Sequence, residues 1–301
     1  MVSRAFGAAV GLVADRVLGE PPVGPHPVAV LGRGLTAVER VLYRDRLVAG
    51  VAHAAAGVAI GAAAGIALRS TALATYLAAA GRALGDAAAA VERALAAGDL
   101  EQARALLPAL VGRDPTDLDE KELARAVVES VAENTVDAVV ATGLWAAAGG
   151  ASGALAHRAV NTMDAMVGHR SERYRRYGWA AARLDDTAAW VPARVTAALV
   201  AVCRPRSASE VWKTVRRDAP AHPSPNSGVA EAAFAAALGI RLGGANRYGD
   251  RVEVRPPLGD GRSAEPADIV RAVRLSRDVQ VALATALVMA AAIGHRRRTR
   301  G

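Results

Sequence analysis

With 301 residues the chain can hold one large domain or two small ones, and its single cysteine, Cys203, excludes an internal disulfide and any cysteine-cluster metal site. The formal net charge is +8, and every basic residue except Lys121 and Lys213 is arginine. No GxxxxGKS/T stretch occurs, which excludes a P-loop. The arginines form no single stripe and accompany no zinc finger, helix-turn-helix signature or aromatic RNA platform, which disfavours a nucleic-acid partner.

In chain order, residues 5–18 read as an apolar helix interrupted by Asp15 and Arg16. The GEPPVGPHP that follows offers no small-residue cleavage site, so a signal peptide is not expected. Residues 47–68 contain no carboxylate, lysine or arginine. As a helix they would reach about 33 Å, enough for a bilayer core of roughly 30 Å. Gly57, Gly61 and Gly65 recur at four-residue spacing, which predicts a smooth face for helix packing in a membrane. Residues 71–107 read as a polar-faced helical stretch. Residues 138–156 form a second uncharged run of spanning length, and 187–203 and 279–294 are weaker candidates. The last ends in HRRRTR, a tail expected on the cytoplasmic side. Residues 204–262 read as a soluble-facing module inserted between membrane helices. Its Gly-Gly and Gly-Asp pairs beside the alternating RVEVR predict a hairpin over 240–256. The expected fold is mainly α: one multi-pass helical integral membrane domain over 1–301 with a small β-hairpin.

Three segments carry candidate chemistry. Along residues 110–137, Lys121, Arg125, Glu129, Glu133 and Asp137 recur every four residues and share one helix face. A solvated charged face is the bland explanation. The stripe, however, runs into an uncharged membrane candidate, where charges usually mark function. Glu129, Glu133 and Asp137 are therefore candidate ligands for magnesium, a hard ion that prefers oxygen. In residues 157–186, Asn161 and Asp164 share a helix face, Arg170, Arg173, Arg175 and Arg176 crowd the next loop, and Asp185 and Asp186 close the segment. That loop either obeys the positive-inside rule or grips anions through guanidinium. The third segment is HPSPNSG, residues 222–228, ahead of the helical VAEAAFAAALG that Gly239 stops. His222, Ser224, Asn226, Ser227 and Gly228 sit at a helix entrance, as a cap or as an anion site.

Taken together and in order, GRDPTDL, VESVAENTVD, RAVNTMDAMVGHR, YGWAAARLDD, PARVTA and HPSPNSG resemble the CobD/CbiB family of cobalamin biosynthesis over nearly the whole chain. The family pattern commonly has Asp where Glu20 stands and Asn where Ala189 stands. The resemblance implies a multi-pass enzyme of the cell membrane. It implies ATP-dependent amide formation between a propionate of adenosylcobyric acid, a corrinoid, and aminopropanol or its O-phosphate. On that reading Glu129, Glu133 and Asp137 bind Mg2+ or orient the amine, with Asn134, Asn161, Asp164, Asp185 and Asp186 as further catalytic candidates. Arg113, Arg170 and the HPSPNSG turn would hold phosphate groups. A non-catalytic membrane sensor of the AmpE type and a corrinoid transporter stay open as alternatives, as does oligomerisation. If residues 138–156 cross the bilayer once, the motifs on either side face opposite compartments; a shared site then requires a re-entrant segment, a site within the bilayer or an odd packing of half-spans.

Overall fold

Alanine-rich stretches with capping residues at their starts dictate a mostly helical chain, and the computed structural model bears this out over residues 3–21, 24, 27–169, 171–248 and 251–298, which it describes. The order is α1 (Arg4–Leu18), α2 (Pro27–Leu42), α3 (Leu47–Leu68), α4 (Thr71–Ala78), α5 (Gly81–Ala96), α6 (Leu100–Leu106), α7 (Glu120–Asn134), α8 (Thr142–Met163), α9 (Trp179–Cys203), α10 (Ala208–Asp218) and α11 (Ser227–Leu238). Strands β1 (Ile240–Tyr248), β2 (Arg251–Leu258) and β3 (Arg262–Ser263) follow, and then α12 (Pro266–Arg298). Among the described residues, four helical stretches are long and apolar enough, by length and composition alone, to cross a membrane: Leu47–Leu68, Glu120–Gly168, Trp179–Cys203 and Pro266–Arg296. The chain divides into two compact units. One comprises Met1–Ala80, Asp137–Trp190 and Leu283–Gly301; the other comprises Gly81–Val136 and Val191–Ala282.

In the first unit, α3 reverses the pattern of a water-soluble helix. Its buried positions include Gly50, Ala54, Gly57, Gly61 and Gly65, while Leu47, Val48, Val51, Ile60 and Ile66 are exposed. Small residues inside and large apolar ones outside suit lipid as the solvent. The glycine face packs on α8: a Cβ on Gly65 would lie 2.5 Å from backbone atoms of Ala151 and Ser152, and one on Gly61 would lie 2.5 Å from the Leu155 carbonyl oxygen. Similarly, Gly7 and Gly11 let α1 approach α4 at Thr71 and Thr75.

The stretch read as a single crossing at 138–156 turns back on itself. Gly150 has φ 67° and ψ −148°, a conformation suited to glycine, and it separates two helical arms. A Cβ on Gly153 would collide with the Trp145 carbonyl oxygen, and the Asn161 Nδ2 donates to Asp137 Oδ2 at 3.2 Å. In one straight helix those last two residues would stand about 36 Å apart. The uncharged arm over 138–149 reaches only about 18 Å. Both arms have π-helical turns at their polar ends, Thr135–Ala141 and Asp164–Gly168.

The second unit places α7 and α11 against the sheet, with Leu123, Val127, Val131, Phe234, Ile240, Leu242 and Leu258 in its core. The sheet order is β2-β1-β3, with β1 antiparallel to β2 and parallel to β3. The expected hairpin is present. Gly243–Gly244 is no turn, however: it forms an irregularity inside β1, between the pairs Leu242↔Leu258 and Gly244↔Arg255. Both glycines have positive φ, 84° and 103°, and Pro256–Pro257 lie opposite, where ladder N–H groups are dispensable. Gly249 and Asp250, the other turn signal, lie outside the described residues. The polar-faced stretch over 71–107 resolves into three short helices, α4 to α6, and the C-terminal candidate is the latter part of α12. Residues 204–262 fall wholly in the second unit.

The glycine seam makes a stability prediction. Gly65→Val should destabilise the protein by about 1–3 kcal/mol through overpacking. Gly34→Ala, where an added Cβ meets nothing within 4 Å, should be neutral or stabilising by up to about 1 kcal/mol. Thermal unfolding in detergent distinguishes them, and equal melting of the two variants would contradict close packing along α3.

Candidate functional site

The site of the second unit is built around a buried carboxylate. Glu129 is only 2% exposed. Its Oε2 accepts from Arg113 Nη2 at 2.6 Å, its Oε1 accepts from the Gly243 N–H at 2.9 Å, and Arg125 Nη1 stands 3.7 Å from Oε1. The positive φ at the bulge turns that N–H toward the carboxylate. Arg113 also donates to Asn246 Oδ1 at 2.8 Å, and Arg125 donates to the Gly243 and Ala245 carbonyls. Asp119 caps α7 through a reciprocal capping box with Glu122. Asp114 accepts from Thr116 within the loop.

One turn further along α7, Glu133 meets HPSPNSG. Ser227 Oγ donates to Glu133 Oε1 at 2.7 Å. His222 is extended (φ −75°, ψ 141°), as a residue before proline should be. Asn226 occupies the position before α11 but leaves the capping to Ser224, whose Oγ accepts from the N–H groups of Asn226 and Ser227 at 3.2 and 3.1 Å. The Asn226 side chain instead accepts from Arg194 Nη1 at 3.0 Å. Gly228 is glycine because His222 lies over it, where an added Cβ would stand 2.4 Å from the His222 Cβ and 2.8 Å from its ring Cγ. Thus Ser224 is the cap, while Asn226 and Ser227 face a cation and an anion.

Behind this turn lies Glu231, fully buried and unremarked by the sequence reading. Among the described residues its carboxylate has no hydrogen-bond partner; His222 Nε2 stands 3.8 Å away and Arg255 Nη1 stands 3.9 Å away. Burial, reinforced by the neighbouring charges of Glu129 and Glu133, pushes its pKa well above the usual carboxylate range. Burial lowers that of His222, whose Nδ1 lies 3.1 Å from the Ser224 backbone nitrogen and 3.2 Å from the Ser224 carbonyl oxygen. Both shifts favour the neutral forms, although the separation of Glu231 and His222 would suit an ion pair. A lone glutamate in the otherwise uncharged α11 was the sequence signal for this residue.

The remaining candidates are distributed differently. Asn134 bonds back to Ser130 on its own helix. In the first unit Asp137 accepts from Asn161, and His157 Nε2 lies 3.1 Å from the Asp137 carbonyl oxygen. Asp164 packs against Gly168, Asp186 lies 3.5 Å from Arg183, and Asp185 neighbours it in α9. Of the arginine-rich loop, Arg173 stacks on Tyr43 at 4.3 Å and pairs with Glu39 at 3.3 Å, while Arg176 lies 3.6 Å from Asp45. Arg170 lies outside the described residues.

Among the described residues no three His, Cys, Asp or Glu side chains are grouped so as to hold a metal ion. Glu129 is committed to its guanidinium and N–H donors. Glu133 is half-buried with one oxygen on Ser227. It fits a single coordination position on magnesium carried mainly by phosphate oxygens and water, the mode that ion favours.

The family model described as CobD/Cbib protein matches residues 8–276. A cobalamin biosynthesis protein CobD of Mycobacterium tuberculosis is 48% identical, covering 98% of this chain and 97% of its own length. The cobalamin biosynthesis protein CbiB of Salmonella typhimurium is 39% identical, covering 95% and 96%. A CobD of Pelobacter propionicus is likewise 39% identical, covering 95% and 94%. No solved structure matches the chain.

Glu231 gives a pH prediction. An unfolded glutamate titrates near about pH 4.3, whereas the folded one keeps its proton to higher pH. Between those values the folded state binds more protons, so the residue's contribution to stability falls as pH rises. Glu231→Gln should melt with the wild type near about pH 4.3 and increasingly above it at higher pH. A variant that melts lower across the whole range would mean that the ionised carboxylate is required.

Proposed function

This chain belongs to the CobD/CbiB family, and from that membership we propose that it is a multi-pass membrane enzyme of cobalamin biosynthesis that joins aminopropanol, or its O-phosphate, to a propionate of adenosylcobyric acid at the expense of ATP. The observation that most supports a reaction centre is the meeting of two separate family motifs, VESVAENTVD and HPSPNSG, at the Glu133–Ser227 hydrogen bond. Among the described residues, the apolar stretches over α3, α9 and α12, which are not reversed at Gly150, support the membrane. The 204–262 module would then face water.

The chemistry sets the requirements. A carboxylate resists attack by an amine until one of its oxygens becomes a leaving group, and ATP provides this by transfer of a phosphoryl or adenylyl group to that oxygen. The amine then forms the C–N bond, the C–O bond to the phosphorus-bearing group breaks, and the ammonium's protons must be removed. Glu133 is the carboxylate suited to orient the ammonium and take up its proton. Ser227 fixes its direction. Arg194, held by Asn226, supplies a guanidinium for anionic oxygens. Glu129, Arg113 and Asn246 act as positioning residues: their mutual bonds fix the approach to α7 against β1. Magnesium, when bound, would neutralise charge on the transferring phosphorus-bound oxygens.

Two measurements test this reading. The protein should stay with membranes through a carbonate wash; recovery in the soluble fraction without detergent would remove the membrane assignment. Purified protein with adenosylcobyric acid, ATP, magnesium and aminopropanol phosphate should form the amide, and each omission should abolish it. Glu133→Gln, which keeps size and removes charge, should lower turnover by about 100-fold or more. Turnover near the wild-type rate would return the residue to a structural role.

A further inference from the structure

The second unit carries an open cleft of about 560 Å3, bordered by the first turns of α7, the β1 bulge and β2. Four cations line it: Lys121, Arg125, Arg241 and Arg255. Its two acids, Asp119 and Glu122, are held by each other's backbone N–H groups in the capping box. The cations divide into two kinds. Arg125 is fixed by carbonyls of the bulge, and Arg255 by Glu253 at 3.3 Å. Lys121 and Arg241 are exposed and, among the described residues, their side chains have no hydrogen-bond or ion-pair partner. Like charges lining one cleft repel, and an anion placed among them relieves that repulsion. The lining includes no aromatic ring on which a base would stack. The volume suits a chain of several phosphates rather than one.

We propose that this cleft binds a linear polyphosphate of the kind a nucleoside triphosphate carries, with Arg125 and Arg255 as the fixed floor and Lys121 and Arg241 as movable clamps. The assignment of the bound group to ATP rests on the amide-forming reading; the polyphosphate chemistry rests on the cleft. Arg125 and Arg255 also reach Glu129 and Glu231, at 3.7 and 3.9 Å. An anion in the cleft would therefore compete for the guanidinium groups that neighbour those buried carboxylates.

The test is calorimetric titration of the full-length protein in detergent with sodium tripolyphosphate, without magnesium. The wild type should bind, more weakly at high salt, and more tightly than it binds orthophosphate or aminopropanol phosphate. Lys121→Ala/Arg241→Ala should weaken tripolyphosphate binding at least tenfold while the ligand-free melting temperature holds, because neither side chain has a partner to lose. Lys121→Arg/Arg241→Lys, which keeps both charges, should restore binding. No binding by the wild type, or equal affinity in the alanine variant, would overturn the proposal. A lipid headgroup is the other source of phosphate. Binding should be the same in phosphatidylcholine and phosphatidylglycerol nanodiscs, and its loss in the latter would give the cleft to lipid and overturn the proposal. Binding without amide product would defeat the reaction and leave the cleft; product formation with unaltered binding in the alanine variant would do the reverse.

Discussion

The second unit depends on satisfying one buried negative charge. Removing a carboxylate from water costs several kcal/mol unless charge and hydrogen bonds are returned to it. Glu129 receives both from three places: the loop before α7, the preceding turn of α7 itself, and the distant bulge of β1. Each contributor has its own reason to be there. The loop is short enough to bring Arg113 back over α7, and the bulge exists because two glycines tolerate positive φ. Glu129 thereby fixes α7 relative to the sheet, and the position of Glu133 one turn on follows from helix geometry.

The first unit obeys a different constraint. Where the surroundings are as apolar as the side chains, burying leucine gains little, and close backbone approach supplies the attraction instead. Glycines on α1 and α3 provide that approach, and branched apolar residues turn outward. Among the polar groups that remain, Asp137 is bonded to Asn161 within the unit.

Much of this was legible because it was local. Period and composition located the glycine face of α3, the hairpin near 240–256 and the Gly239 stop of α11. Four-residue spacing put Glu129 and Glu133 on one face, yet it could not assign their roles, because one partner of Glu129, the Gly243 N–H, lies 114 positions away. Spacing likewise extended the stripe to Asp137, which the structure bonds instead to a residue returned by a reversal of the chain. That reversal rests on one backbone conformation, Gly150, and a glycine among Gly149, Gly153 and many alanines carries no distinguishing signal. Glu231 was passed over for the opposite reason. One charge in an apolar helix has no periodicity, and its significance comes from burial. HPSPNSG was correctly read as a helix entrance, but only the structure separates Ser224, which caps, from Asn226 and Ser227, which face Arg194 and Glu133.

The reversal at Gly150 bears on how such a chain is threaded through a bilayer. A helical pair that comes back to the side from which it set out adds nothing to the parity of crossings. Counting apolar stretches by hydropathy would score residues 138–156 as one passage and would invert the sidedness of everything after it. With the turn in place, Asp137 and Asn161 share a compartment however deep the loop between them dips. Polar groups on both arms, Asp137 and Asn161 among them, are then open to one aqueous pool.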